Sequence, residues 1–449
     1  MRSYNNLYEP MLQDEYIQKC FRDAAKKKRK RNDVQRILDN IDTEVGILKQ
    51  ILQEEMFLPS YHEKCIINEN NYLKTRRILK PSYKYEQVVH HCAIGQFKPI
   101  VMNGLYEFSC GSVPKRGVHY GKKFMKKWIE SYNGKKMYIL KMDIHHFFES
   151  IDRTILKKKL QEAIRDRRFY RLMCVFVEYD RIAETVKILE DVATEMSIDG
   201  VRCLVSCIAF DDDMEALEIL RGAGVAGETF IAVRDVIYSR RKGVPLGYFT
   251  SQWFGNFYLK KLDHYIKQEL SAEHYMRYMD DMVILGKSKK KLHKIRTVIK
   301  GYLQDELKLE LKGDWQVFRF EYEGKDGKVY GRMLDFMGFQ FHHDRITMRK
   351  STIQRARAKA MRIAAKEKVT WYDAATMLSY MGWFNHTDTY DYYQRYIKPN
   401  VNVKKLKKIV SNHQRKENER ERMAQSNGNA AGETGGDRQN ILAVNRVSA

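Results

Sequence analysis

Residues 275–285 read Tyr-Met-Arg-Tyr-Met-Asp-Asp-Met-Val-Ile-Leu. Apolar and aromatic residues flank two adjacent acids, the pattern of two short strands joined by a tight acidic turn at Asp280–Asp281. Working outward, residues 136–150 (KMYILKMDIHHFFES) read as a strand running into a helix, with Asp143 where the strand pattern ends. A carboxylate at the end of an apolar strand is costly unless something compensates its charge, and a bound cation is the usual compensation. Two acids on a turn and a third from a neighbouring strand make a set able to hold two Mg²⁺ ions. Two metals about 3.5–4 Å apart suit in-line phosphoryl transfer.

The rest of the chain favours an anionic partner. Its 449 residues predict two or three structural units, and 43% hydrophobic content supplies a sizeable core. Lys and Arg number 81 against 57 Asp and Glu, a formal net charge of +24 that points to nucleic acid. The polar N-terminus is unlike a secretory signal, and no apolar stretch approaches the ~20 residues of a membrane helix, so no membrane partner is expected. Seven scattered cysteines, at 20, 65, 92, 110, 174, 203 and 207, fit reduced thiols in a cytoplasm.

Residues 1–60 read as helical, with a basic run from Lys26 to Arg31 before apolar positions at Val34, Ile37, Leu38, Ile41, Val45 and Leu48. Residues 61–110 read as short extended segments and turns. Between Arg171 and Asp235 stand 14 acidic and 6 basic residues, a net of −8, so the remainder carries +32. That segment reads as a separate helical insert lying on the surface as an excursion. Residues 345–416 read as helical and carry +13, with Arg355, Lys359, Arg362 and Lys366 on one helical face, the stripe that tracks phosphates. From residue 417 onward, polar repeats and then Gly, Asn and Ser read as a disordered tail.

Tyr278-Met279-Asp280-Asp281 resembles the YxDD box of reverse transcriptases, and Lys141–Asp152 (KMDIHHFFESID) looks like the family's first catalytic block. Gly243–Leu259 (GVPLGYFTSQWFGNFYL) is similar to the block between them, and Leu334–Phe341 (LDFMGFQF) to the primer-grip hairpin. Lys74, Arg76, Ile78 and Pro81, followed by Gln87–His91, resemble the fingers region of bacterial enzymes. The Thr250-Ser251-Gln252 ending is most similar to diversity-generating-retroelement and prophage-type reverse transcriptases. Two departures are Tyr248, where Asn is common, and Gly255, where Ala is common. A third is the 100 residues from Asp143 to Gly243, longer than in related enzymes.

The resemblance implies an α+β right-hand polymerase of the bacterial cytoplasm. Its parts would be an N-terminal helical extension (1–60), fingers (61–135), a first palm part (136–170), the acidic helical insert (171–235), a second palm part (236–344), a basic helical thumb (345–416) and the tail (417–449). It implies an RNA template, a DNA or RNA primer, dNTPs and two Mg²⁺ ions, with Mn²⁺ able to substitute, and a possible small basic accessory protein. Asp143 and Asp280 would be the principal metal ligands, Asp281 a supporting one and the Ile144 carbonyl an extra oxygen. Phe148 would be the sugar gate that rejects a ribose 2′-OH. Gly247 and Gln252 would face the base pair or template, and Lys74 and Arg76 the triphosphate. Leu334, Phe336, Met337 and Gly338 would form the primer grip. Two alternatives stay open: a defence-type enzyme making untemplated or protein-primed DNA, and a catalytically silent RNA-binding protein on a polymerase scaffold.

Overall fold

The computed structural model of the chain describes residues 3–413 and 415, except 27, 30, 63–64, 70–73, 133, 192–195 and 240–241; over 65–69 and 74–77 it describes the backbone alone. Three helices open it: α1 (Asp14–Ala24), α2 (Asn32–Asp39) and α3 (Ile41–Gln53). The apolar periodicity that starts at Val34 breaks at Asn40, whose backbone leaves the helix (φ −113°, ψ 32°). Its side-chain amide donates to the Arg36 carbonyl at 3.0 Å, the local competition that makes Asn a helix breaker. An antiparallel hairpin follows, β1 (Cys65–Glu69) and β2 (Lys74–Ile78). Beyond it the expected short extended segments give way to a fifteen-residue helix, α4 (Val88–Met102). Val88, Cys92, Phe97 and Val101 of α4 are fully buried, so tertiary packing overrides the turn signals read there.

The central sheet is assembled from distant parts of the chain. After α5 (Val118–Ser131) come β3 (Tyr138–Met142), the single turn α6 (Phe147–Ser150) and α7 (Arg153–Ala163). Five helices then intervene: α8 (Arg167–Val177), α9 (Tyr179–Asp191), α10 (Ile198–Phe210), α11 (Asp213–Gly222) and α12 (Gly227–Tyr238). The long α13 (Phe249–Gln268) leads into β4 (His274–Tyr278) and β5 (Asp281–Gly286), followed by α14 (Lys289–Leu307) and β6 (Gln316–Arg319). These strands form one antiparallel sheet in the order β4-β5-β3-β6.

Strand alternation sorts the two faces of this sheet. Leu140, Met142, Met282 and Ile284 enter a large core with α4, α8, α13 and α14. Ile139, Val283 and Leu285 point the other way, into a second core with α5 and the following strands. First come β7 (Tyr322–Glu323) paired with β8 (Val329–Tyr330), which supply no residue to that core; the strands that do form a small meander of β9 (Leu334–Phe336), β10 (Phe339–Phe341) and β11 (Ile346–Met348). The helical stretch expected from residue 345 therefore starts with a strand, because Ile346 and Met348 alternate into the core. It becomes helical at α15 (Lys350–Ala364) and α16 (Trp371–Phe384), with residues 403–413 also helical. These pack around a third core that includes Ala356, Ala360, Met377 and Ile397.

The acidic stretch at 171–235 begins inside α8 and is joined to the large core rather than standing off it. Phe169 and Phe176 of α8 and Tyr179 of α9 are buried. Its acids neutralise cations of α7. Glu178 accepts from Arg153 at 3.0 Å and pairs with Lys157 at 3.1 Å, Asp180 holds the other Arg153 nitrogen at 2.8 Å, and Asp211 also holds Lys157. Arg181, 1% exposed, lies among Glu178, Asp211 and Asp213. Four of the segment's fourteen acids are engaged in this network, and its apolar residues join the large core, so composition disguised a core element as a surface one.

Every cysteine whose side chain is described is a free thiol. Among those residues no helix is long and apolar enough to cross a membrane. The tail expected from residue 417 lies outside the described residues.

Candidate active site

The register Tyr278 opposite Asp281 leaves Met279 and Asp280 as the two loop residues of the β4–β5 hairpin, with Met279 left-handed at φ +57°. The turn thus falls one residue earlier than the Asp280–Asp281 pair suggested, and Asp281 opens β5. The β3–β5 ladder ends with Met142 opposite Met282, so Asp143 emerges beside Asp281 at the same end of adjacent strands. Past Asp143 the chain is pinned by a bridge from Ile144 to Leu311 and by the Lys312 amide, which donates to the Asp143 carbonyl at 2.9 Å. Alternation puts the Asp143 and Asp281 side chains on the same face as Ile139 and Val283, opposite α14.

Burial and mutual repulsion charge this corner. Burial first, then the negative charge of Asp143, pushes the Asp280 carboxyl up to about 6, and a hydrogen bond between the two carboxyls adds to the rise. Burial also raises Asp281, opposed by the nearby Lys141 and Arg349 cations. Those cations are themselves fixed. Lys141 donates to the Asp335 carbonyl oxygen at 2.8 Å, and Arg349 grips the Asp335 carboxylate through Nε at 2.8 Å and Nη2 at 2.6 Å. Lys312 stands 3.8 Å from Asp143. Among the described residues no three His, Cys, Asp or Glu side chains form a metal-holding group. The donors drawn together are Asp143 and Asp280, with Asp281 adjoining. Hard carboxylate oxygens in such excess of negative charge are the donor chemistry Mg²⁺ takes.

Beneath the turn lies a polar network that sequence reasoning missed. Arg277 and Asp263 of α13 are both fully buried and joined in a fork, Nε to Oδ1 at 2.7 Å and Nη2 to Oδ2 at 2.6 Å. Tyr275 and Ser109 hydroxyls donate to the same carboxylate at 2.7 and 2.8 Å. Arg277 Nη1 spans the remaining gap, donating to the Asn256 side-chain oxygen at 3.2 Å and to the Met279 carbonyl at 2.8 Å. The second bond holds the left-handed residue of the turn itself. From above, Gly111 closes the turn: a Cβ there would stand 2.5 Å from the Met279 amide nitrogen. The available signal was an Arg within an otherwise apolar strand, three residues before the first acid, and an Asp inside an aromatic helix.

The other predicted residues separate. Phe148 is half-buried and Phe147 buried, their rings 5.0 Å apart, and Gly255 faces both, where a Cβ would stand 3.0 and 3.2 Å from them. Gly247, at φ +113°, packs on the Leu79 backbone, and a Cβ there would land on the Leu79 carbonyl. Gln252 is exposed on the first turn of α13, while Thr250 is buried with its hydroxyl 3.1 Å from His90. The Tyr248 ring is buried against His90 and Tyr179. Lys74 and Arg76 lie on β2 opposite Glu69 and Ile67, and their side chains lie outside the described residues.

In the β9–β10 hairpin, Leu334 and Phe336 are wholly buried and seat the strand, leaving Met337 and Gly338 as the tip. Both tip residues have positive φ, at +53° and +85°, the primed turn that two-residue hairpins favour. The α15 stripe divides. Lys359 and Lys366 each bind Asp373 of α16 at 2.7 Å and are not free for phosphate, whereas Arg355 and Arg362 are exposed.

No protein-family model matches the sequence, and comparison with curated proteins yields no match. Among solved structures the chain is similar to apo telomerase from Candida tropicalis truncated from its C-terminal domain, at 10% identity and a TM-score of 0.35, over 63% of this chain and 53% of that one. Telomerase from Candida albicans in complex with a TWJ fragment of telomeric RNA matches at 11% identity and TM-score 0.35, over 80% of this chain and 58% of that one. The corresponding Candida tropicalis complex gives 10%, 0.36, 87% and 58%. The chain thus spans a little over half the length of the solved chains it is similar to.

Proposed function

We propose that the chain is an RNA-directed DNA polymerase built as a right hand, with the β3–β6 sheet as palm, the β1–β2 hairpin and α4 as fingers and α15–α16 as thumb. The observation that carries this is the meeting of Asp143 with the Asp280–Asp281 pair at one end of adjacent strands, where burial and the Asp143 charge push the Asp280 carboxyl up to about 6. When bound, two Mg²⁺ ions would supply a polarised primer hydroxyl and a neutralised pyrophosphate leaving group. Asp143 and Asp280 would hold them, with Asp281 beside them. Lys141, Arg349 and Lys312 limit how far the carboxylates repel one another, and Arg277 keeps the turn from relaxing. Phe148, half-buried over Gly255, supports a deoxynucleotide preference, and the exposed Arg355 and Arg362 supply phosphate contacts for a primer–template duplex.

The test is extension of a DNA primer annealed to RNA, with dNTPs and Mg²⁺, by the wild type and by Asp280→Asn. Extension by the wild type and a loss of about 10³-fold or more in the variant are expected, since removing a metal-holding carboxylate removes several kcal/mol of transition-state stabilisation. Undiminished synthesis by Asp280→Asn would sink the assignment. RNA binding without synthesis by the wild type would favour the silent scaffold.

A further inference from the structure

α14 carries a row of cations that the site does not use. From Lys287 to Lys300 the sequence is KSKKKLHKIRTVIK, seven basic residues, and no acid occurs between Gly286 and Asp305. Its apolar face, Leu292, Ile295, Ile299, Leu303 and Leu307, is buried against the palm sheet. On the outer side Lys290, Lys291 and Lys294 of the helix are exposed, and Lys287 is exposed one residue before its Ser288 cap, so the four crowd one end of α14. None of them makes an ion pair with a described residue, whereas Lys157, Lys359 and Lys366 are each bound to carboxylates.

This cluster works against the helix that bears it. Lys290 and Lys294 are like charges four apart, which destabilise a helix. They also cluster at the N-terminal end, where the peptide dipoles favour anions, and no acid stands in the first turn. A face selected only for solubility would mix both signs. Only a polyanion lying against the cluster makes four unpaired lysines favourable together. The cluster lies on the opposite face of the sheet from Asp143 and Asp281, so a duplex engaged at the carboxylates is separated from it by the sheet and α14 itself. A membrane surface is the poorer partner, because every large apolar residue of α14 except the partly exposed Val298 and Tyr302 is turned into the protein.

We propose that Lys287, Lys290, Lys291 and Lys294 form a second RNA-binding surface that grips the phosphate backbone of the template RNA outside the primer–template duplex. This rests on the polymerase reading for the identity of the RNA. The test compares the wild type with the fourfold Lys→Gln variant on two probes. One is a minimal RNA–DNA heteroduplex that fills the cleft, and the other is the same duplex whose RNA continues 5′ into a stable hairpin. On the short probe, affinity and extension should agree within about twofold. On the long probe the variant should bind roughly 100-fold more weakly at about 0.1 M salt, with the slope of log affinity against log salt reduced by about 3. Equal slopes for wild type and variant on the long probe would overturn the proposal, as would an equal loss on polyglutamate-blocked binding or on anionic vesicles. A wild type that cannot extend the short probe, yet shows the lysine-dependent slope on the long one, would overturn the polymerase reading and leave the cluster standing.

Discussion

Asp280 carries a cost that the metal-free protein must show. Its folded-state value of about 6 lies above the ordinary 3.8, so between those values the folded chain binds more protons than the unfolded one. Its contribution to stability is therefore full below about pH 4 and is lost as pH rises through 6, up to about 3 kcal/mol for a shift of roughly two units, while carboxylates held low by cations, such as Asp373 and Asp211, act in the opposite sense. Urea denaturation of metal-free wild type and Asp280→Asn at about pH 4 and about pH 7 should show the difference between the two proteins change by about that amount across the window. A variant whose pH dependence runs parallel to the wild type would refute the origin assigned here. At this scale the acids were legible because the sequence sets them at the ends of apolar strands. The raised Asp280 carboxyl was not, since it depends on a strand register that brings Asp143 beside residues far along the chain.

The β4–β5 hairpin could be read from its apolar flanks and acid pair alone, yet its anchorage to α13 could not. Arg277 and Asp263 lie 14 residues apart on different elements, and only the fold makes them a fork. Replacing Arg277 by Met leaves the Asp263 carboxylate buried without its counter-charge, an expected loss of about 3–5 kcal/mol. The double variant Arg277→Met/Asp263→Leu should regain much of that stability, because an apolar pair can substitute for a buried ion pair. Primer extension should stay impaired in it, since the Met279 carbonyl has lost its donor. Thermal unfolding and turnover measured on both variants separate the two effects, and joint recovery would make the pair purely structural. The α15 stripe shows the complementary limit of pattern reading. Helical spacing grouped four cations, but Lys366 falls just beyond the end of α15, and nothing in the spacing reveals that Asp373, from the next helix, claims it and Lys359.

For the whole molecule, the +24 net charge is an average over parts that neutralise one another and parts that do not. The acids of 171–235 look expendable by composition, but Glu178, Asp180 and Asp211 answer Arg153 and Lys157, and Arg153 in turn donates to the Gly243 carbonyl at 2.8 Å. Deleting residues 179–238 should therefore abolish cooperative unfolding rather than trim a surface, as Arg153 would lose Asp180, Lys157 would lose Asp211 and a large apolar face would be bared. Circular dichroism and proteolysis of the deleted chain would decide this, and a sharp transition near the wild-type temperature would contradict it. A smaller junction has a consequence for how such a chain drifts over generations. The Met337–Gly338 tip wedges between α5 and α16: a Cβ at Gly121 would stand 2.5 Å from the Met337 sulfur, and one at Gly338 would stand 2.7 Å from the Trp383 ring. A thioether can swing aside, whereas an indole cannot, and Gly338 also has positive φ. Gly121 is thus free to become Ala once position 337 shortens, while Gly338 stays fixed as long as Trp383 does, so the two contacts are inherited under unequal constraint.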